Sequence, residues 1–206
     1  MATITRLVQG KKNPNRVNLY LDDTFAFALS IDEVAKNNLK KGLELSQEKI
    51  DQLQDTDQND YVYAKILNFL SFRPHTIKEV HDRLKKYEVT DPTKQQLLID
   101  RLTSKGYLDD LAFARWFIAS RNAHRPRSLR MLTQELKSKG VGEKDIALAI
   151  GDVNDESESI RRLLEKKLKS QHTLEVAEKQ KIYAYLGRQG YAWDKIKDVV
   201  KSWESE

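Results

Sequence analysis

One pattern recurs three times in this chain at almost constant spacing, and it limits the possible folds more than any other feature. Leu84-Lys85-Lys86-Tyr87-Glu88-Val89, Leu136-Lys137-Ser138-Lys139-Gly140-Val141 and Leu186-Gly187-Arg188-Gln189-Gly190-Tyr191 each read as a leucine, a basic or small stretch, a chain reversal and an apolar residue. The leucines lie fifty-two and fifty residues apart. An amphipathic run follows each site, Leu97 to Leu102, Ile146 to Ile150 and Ile196 to Val200, and another precedes it, Tyr61 to Leu70, Leu111 to Arg121 and Ile160 to Leu168. Each unit is therefore about fifty residues and three helices. Such a period predicts modules that bury local cores and stack on their neighbours, and it does not fit the 33- and 34-residue repeat families. The reading is a mainly α chain of three tandem three-helix repeats in an elongated array, over 61–108, 109–153 and 155–206.

Helix-end chemistry supports this register. Thr76-Ile77-Lys78-Glu79 reads as a capping box, and Asp91-Pro92 places an N-cap before a proline at the first helical position. Asp109-Asp110 opens a helix after Tyr107-Leu108. Ser128 can cap Leu129 to Lys139, with Gly140 as the left-handed residue that closes it.

Residues 1–54 are different. Val17 to Leu21 and Phe25 to Leu29 alternate at period two around Asp22-Asp23-Thr24, which predicts a β-hairpin, and Thr3 to Gln9 can add a strand across the turn Lys11 to Asn15. Phe25 and Phe27 are expected to share a face and build the small core. Ser30-Ile31-Asp32-Glu33 is a further capping box, starting a helix to about Leu39 closed by Lys40-Lys41-Gly42. A short helix from Ser46 to Leu53 and a polar linker, Gln54 to Asp60, complete a small β-hairpin-plus-helix domain.

Composition narrows the function classes. Without cysteine, the chain can form no disulfide scaffold, thiolate metal site or cysteine nucleophile. No stretch approaches the roughly 18 apolar residues of a membrane helix, and the first residues do not read as a signal peptide, so a cytoplasmic protein without a membrane partner is expected. His75, His81, His124 and His172 show no metal spacing and read as solvated or partly packed surface residues. Gly140 and Gly142 lack the lysine of a phosphate loop, and Asp109-Asp110 reads as capping. No catalytic residue, cofactor or metal site is indicated.

Charge distribution is more informative. From Arg115 to Lys139 the chain carries Arg115, Arg121, Arg125, Arg127, Arg130, Lys137 and Lys139 against Glu135 alone, a balance of +6 in a chain whose total is +5. Five of the seven are arginine, suited to bidentate capture of carboxylate or phosphate. These seven residues are the candidate partner-binding surface. Tyr107, Phe113, Trp116 and Phe117 fall at near-helical spacing and read as a core stripe, with Trp193 and Trp203 packed in the last unit.

Gly106-Tyr107-Leu108-Asp109-Asp110, Phe113-Ala114, Ser120-Arg121 and Glu135-Leu136-Lys137-Ser138-Lys139-Gly140-Val141 together resemble the central signature of the RecX family of bacterial recombination regulators. Ala64 to Leu70, Arg73 and Glu79 to Leu84 resemble its first repeat. The N-terminal piece is similar to the extension of members from Gram-positive bacteria. One departure is Tyr87-Glu88, where a Lys-Gly ending is common. The resemblance implies a non-enzymatic, monomeric modulator of the RecA–single-stranded-DNA filament in recombination and the SOS response, lowering ATP hydrolysis, strand exchange and co-protease activity. In that reading the seven basic residues contact the filament or its DNA. Leu108, Phe113, Leu136 and Val141 pack, and Tyr107, Asp109, Asp110 and Gly140 complete the structural motif. The alternative from the residues alone is a stand-alone DNA-binding protein with helix-turn-helix-like modules, and a third is an assembly scaffold without nucleic acid.

Overall fold

The computed structural model describes residues 1–11, 13–153, 155–169 and 171–205; Lys12, part of the expected turn, lies outside them. The chain divides into two compact units, Met1–Phe69 and Leu70–Glu206.

The first unit holds a four-stranded antiparallel sheet in the order β3-β2-β1-β4: β1 (Ala2–Gln9), β2 (Arg16–Leu21), β3 (Thr24–Ser30) and β4 (Glu44–Leu45). The hairpin turn is the pair Asp22 and Asp23, both at positive φ (46° and 65°), the geometry that matches strand twist, and Thr24 already belongs to β3. Phe25 and Phe27 do not share a face. The register steps from Leu19↔Phe27 to Tyr20↔Phe25, so Ala26 is an extra residue that turns Phe25 over. Phe27 joins the core of Ile4, Leu19, Leu29, Ile50 and Leu53. Phe25 stays 58% exposed, edge-on to Tyr20 at 5.8 Å, with the Arg6 guanidinium 4.2 Å over the Tyr20 ring.

Helix α1 (Ile31–Lys36) starts as expected, the Ser30 hydroxyl accepting from the Glu33 N–H at 3.1 Å. It stops before Leu39 because Asn38 takes φ 50° and the Leu39 N–H closes on the Val34 carbonyl. The expected linker is helical too. Helix α2 runs from Gln47 to Leu70 through Gln54–Asp60, where Thr56 back-bonds to the Gln52 carbonyl at 2.9 Å and Asp57 pairs with Arg16 at 2.6 Å.

The second unit is helical: α3 (Ile77–Lys86), α4 (Pro92–Ser104), α5 (Asp110–His124), α6 (Leu129–Ser138), α7 (Glu143–Gly151), α8 (Ser157–Leu168), α9 (Val176–Arg188) and α10 (Trp193–Trp203). With α1 and α2 this makes ten helices among the described residues, and the nine from α2 to α10 make up three three-helix repeats. The recurring sequence motif is one hydrogen-bonded device used three times. The carbonyls of Leu84, Leu136 and Leu186 accept from the N–H groups of Val89, Val141 and Tyr191 at 3.1, 3.2 and 3.4 Å. Glu88, Gly140 and Gly190 supply the left-handed residue at φ 64°, 84° and 90°. All three leucines are fully buried, each contributing about 2 kcal/mol of apolar transfer. The second repeat packs Phe113, Phe117, Leu132, Leu136, Val141 and Ile146 into its own core. The third does the same with Ile160, Leu164, Ile182, Leu186, Ile196 and Val200.

Neighbouring repeats share one joint. Thr76, the N-cap of α3, donates its hydroxyl to the Lys139 carbonyl at 3.0 Å; Ser128, the N-cap of α6, donates its N–H to the Gln189 carbonyl at 3.1 Å. An acidic side chain from the next repeat completes each helix start: Asp110 accepts from the Ile77 N–H at 2.9 Å and Glu156 from the Leu129 N–H at 2.6 Å. The start of the middle helix in the first and second repeats thus sits on the reversal of the repeat that follows. A Cβ at Gly140 would lie 2.7 Å from Lys78 Cβ, and one at Gly190 2.7 Å from Met131 Cγ. Glu88, at the reversal of the first repeat, is solvent-exposed, so the motif tolerates a non-glycine there.

Candidate interaction surface on the second repeat

Helix α5 buries the 113/114/117/118 face, which leaves Trp116 on its flank, 37% exposed, and Tyr107 before the helix, 53% exposed; the expected aromatic stripe is therefore only Phe113 and Phe117. Trp203 is buried, but Trp193 is 55% exposed and meets Tyr183 edge-on at 4.9 Å. Asp109 caps its own helix through the Ala112 N–H at 2.9 Å, whereas Asp110 caps α3. Burial raises the Asp110 carboxyl against the lowering effect of the Ile77 N–H.

Five of the seven basic residues meet carboxylates, and two of those partners, of Arg115 and Lys139, lie far away in the linear sequence. Arg115 pairs with Asp152 at 2.7 Å and Lys137 with Glu143 at 2.7 Å, both on open surface. Glu135, the single acid of the run, lies between Arg121 at 2.8 Å and Arg127 at 3.3 Å; the Arg127 Nε approach is off the hydrogen-bonding direction. Lys139 reaches sixty residues back to Glu79 at 3.0 Å. Arg125 and Arg130 are exposed and pair with no carboxylate among the described residues.

Glu79 is the residue that sequence reasoning passed over as half of a capping box. Thr76 does accept from its N–H at 3.1 Å, but its carboxylate turns away to Arg73 at 3.0 Å, His75 at 2.7 Å and Lys139. His75 is consequently 5% exposed, not the surface histidine expected. Burial pushes Glu79 up, but hydrogen bonds from Lys139 and His75 and the charge of Arg73 outweigh it and hold the group below its ordinary value. His81 and His172 are also engaged, with the Gln95 side chain at 2.8 Å and the Trp203 carbonyl at 2.9 Å.

Two related clefts open beside the joints. The first, about 240 Å³, is lined by Arg73, Phe113, Trp116, Phe117, Arg121 and Lys139 among others. The second, about 170 Å³, is lined by His124, Arg125, Arg127, Lys166, Tyr185 and Gln189, with Pro126 and Leu163. Their shared origin is visible in the sequence once the joint is known: Arg73-Pro74-His75-Thr76 recurs fifty-two residues on as Arg125-Pro126-Arg127-Ser128. No group of three or more potential metal-ligating side chains occurs among the described residues, and no helix among them is long and apolar enough to cross a membrane.

A chain of three-helix modules with an N-terminal sheet, carrying its charge at the module joints and on the middle module, has the build of a tandem-repeat interaction protein. Comparison with known proteins gives that class a family. Residues 2–46 match the regulatory protein RecX N-terminal domain, and 63–98, 109–150 and 154–200 match the first, second and third three-helix domains of RecX. Regulatory protein RecX of Bacillus subtilis is 34% identical over 100% of this chain and 79% of its own length. That of Leuconostoc mesenteroides is 31% identical over 97% and 75%. A crystal structure of regulatory protein RecX matches with a TM-score of 0.74 at 24% identity, covering 98% of this chain and 100% of that one. RecX from Lactobacillus salivarius gives 0.63 at 21% identity over 73% and 99%. The chain belongs to the RecX family, whose relatives here are named regulatory proteins.

Proposed function

We propose that this chain is a cytoplasmic, monomeric, non-enzymatic regulator that binds the RecA–single-stranded-DNA filament and mainly inhibits its ATPase, strand-exchange and co-protease activities in recombination and the SOS response. Family membership supports the reading, and the observation that carries it is the cationic character of the second repeat. Arg125 and Arg130 stand exposed and pair with no carboxylate among the described residues, which suits a polyanionic partner. Repetition of the module gives several contacts to one polymeric partner, and avidity follows. Among the seven basic residues the contact role falls first on Arg125 and Arg130. Arg115, Arg121, Arg127, Lys137 and Lys139 also hold the repeats in shape through Asp152, Glu135, Glu143 and Glu79.

The test is ATP hydrolysis by the cognate RecA on saturating single-stranded DNA, titrated with this protein, beside its binding to the same DNA without RecA. Inhibition well below the concentration that coats bare DNA supports a filament regulator. Inhibition only where bare DNA is already occupied supports the stand-alone DNA-binding reading, and no effect removes both.

A further inference from the structure

The two joints are built alike, but their clefts differ in charge. In the first, Arg73 and Lys139 both turn onto Glu79, and the Arg73 guanidinium lies 5.7 Å from the Trp116 ring centroid. The cations and the aromatic wall there are already engaged with one another. The position equivalent to Glu79 in the second repeat, fifty-two residues on, is Met131. Arg125, the counterpart of Arg73, is therefore exposed and without a carboxylate partner among the described residues. Across the cleft α8 presents Lys166, and Lys167 stands 4.6 Å from the Tyr185 ring centroid. Neither cleft has a carboxylate among its described lining residues. The difference is that the cations of the first are paired with Glu79 and Glu135, whereas in the second only Arg127 meets a carboxylate among the described residues, Glu135.

We propose that the cleft between the second and third repeats is a subsite for single-stranded nucleic acid, with Arg125 and Lys166 on the phosphates and Tyr185, backed by Leu163, against a base. The combination of ligand groups selects this class. Cations alone would suit any polyanion, but a partly buried aromatic ring beside them recognises the π-face that every nucleotide carries and an acidic side chain lacks. Lys167 shows that the ring face is open to a cationic partner. A stacked base would displace that ammonium toward the adjoining phosphate, so binding costs no buried charge. Gln189 adds an amide able to meet a base edge without choosing a sequence. The first cleft, self-neutralised, takes no part.

The proposal rests on the filament reading only for the source of the strand, and its test contains no RecA. Fluorescence anisotropy of labelled oligothymidylate is measured with the full chain over a range of salt. Replacing both contacts, Arg125→Ala with Lys166→Ala, should weaken binding about tenfold and lower the salt slope by about 1.4, the value for two phosphates on a single strand. Tyr185→Leu should weaken binding and leave the slope unchanged. Met131→Glu, which restores the carboxylate found at the first joint, should mimic the double variant; circular dichroism checks its fold, and the double variant at two exposed sites stands if it misfolds. Lys40→Ala with Lys41→Ala removes equal charge at two exposed positions of the first unit and should leave affinity within about twofold. Absence of saturable wild-type binding, wild-type affinity in the Arg125/Lys166 variant, an equal loss in the Lys40/Lys41 control, or displacement by polyglutamate as effective as by unlabelled oligothymidylate would each overturn the assignment. RecA ATPase inhibition by the same variants then reports on the filament reading separately.

Discussion

Gly190 and Met131 approach so closely that a Cβ on the glycine would stand 2.7 Å from the methionine Cγ. The glycine is thus required twice, by φ 90° and by the helix start resting on it. Gly140 is in the same position against Lys78, while Gly106, at φ 73°, has open space where a side chain would go. Alanine at Gly106 should cost about 1 kcal/mol for the left-handed backbone alone. Alanine at Gly140 or Gly190 should cost about 3 kcal/mol, backbone strain and displaced neighbours together. Urea unfolding of the three variants measures the order, and equal losses would contradict the joint.

Glu79 and Asp110 should give opposite acid titrations. The Glu79 carboxyl is held below its ordinary 4.5, so its stabilisation is present above that pH and is lost as pH falls through the lowered value. Glu79→Gln should therefore cost about 2 kcal/mol at pH 7, with the gap to wild type closing in acid. Asp110 is raised above its ordinary 3.8, so its stability contribution is full below that pH and declines as pH rises through the raised value. Asp110→Asn keeps an acceptor for the Ile77 N–H and should gain on wild type as pH rises. Chemical denaturation between pH 3 and pH 7 checks both signs.

Leu84, Leu136 and Leu186 are each fully buried, so alanine at any of them should cost about 3 kcal/mol. Because repeats contact only neighbours, Leu186→Ala should loosen the third repeat before the second. Hydrogen exchange would show protection falling first in α8 to α10.

Charge reversal separates binding from folding. Arg125→Glu with Arg130→Glu touches no ion pair among the described residues and should leave the melting temperature unchanged while RecA inhibition requires at least about tenfold more protein. Arg121→Glu sets a like charge against the partly buried Glu135 and should lower the melting temperature by several degrees. Differential scanning fluorimetry beside the ATPase titration distinguishes the two; unchanged inhibition by the first variant would remove Arg125 and Arg130 from the contact surface.

The features legible in the sequence were those written locally. The leucine-to-reversal motif, the caps at Thr76, Ser128, Asp91 and Asp109 and the turn of the hairpin all depend on residues within six of one another. What escaped depends on distance or on one extra residue. Ala26 turns Phe25 outward without disturbing the composition of its strand. Gln54 to Asp60 reads as a linker because much of that stretch of α2 faces water, and a polar helix surface has the composition of a loop. The basic run looked unopposed because the partners of Lys139 and Arg115 come from sixty and thirty-seven residues away. Glu79 was hidden by a plausible local role, since a capping box and an ion-pair hub use the same side chain.

The joint also has a grammar of order. The middle helices of the first and second repeats each begin on the glycine of the repeat that follows, so a repeat has a face that gives and a face that receives. The first repeat carries Glu88 on its receiving side, and α9 closes its start with Glu178 of its own helix, which accepts from the Glu175 N–H at 3.1 Å. The modules are accordingly not interchangeable beads. Moved to the middle, the first would bring a side chain where only a hydrogen atom fits, and the third would arrive with its helix start already spoken for. A shuffled chain could keep every core intact and still fail to join, because what is inherited along this array is sequence position as much as shape.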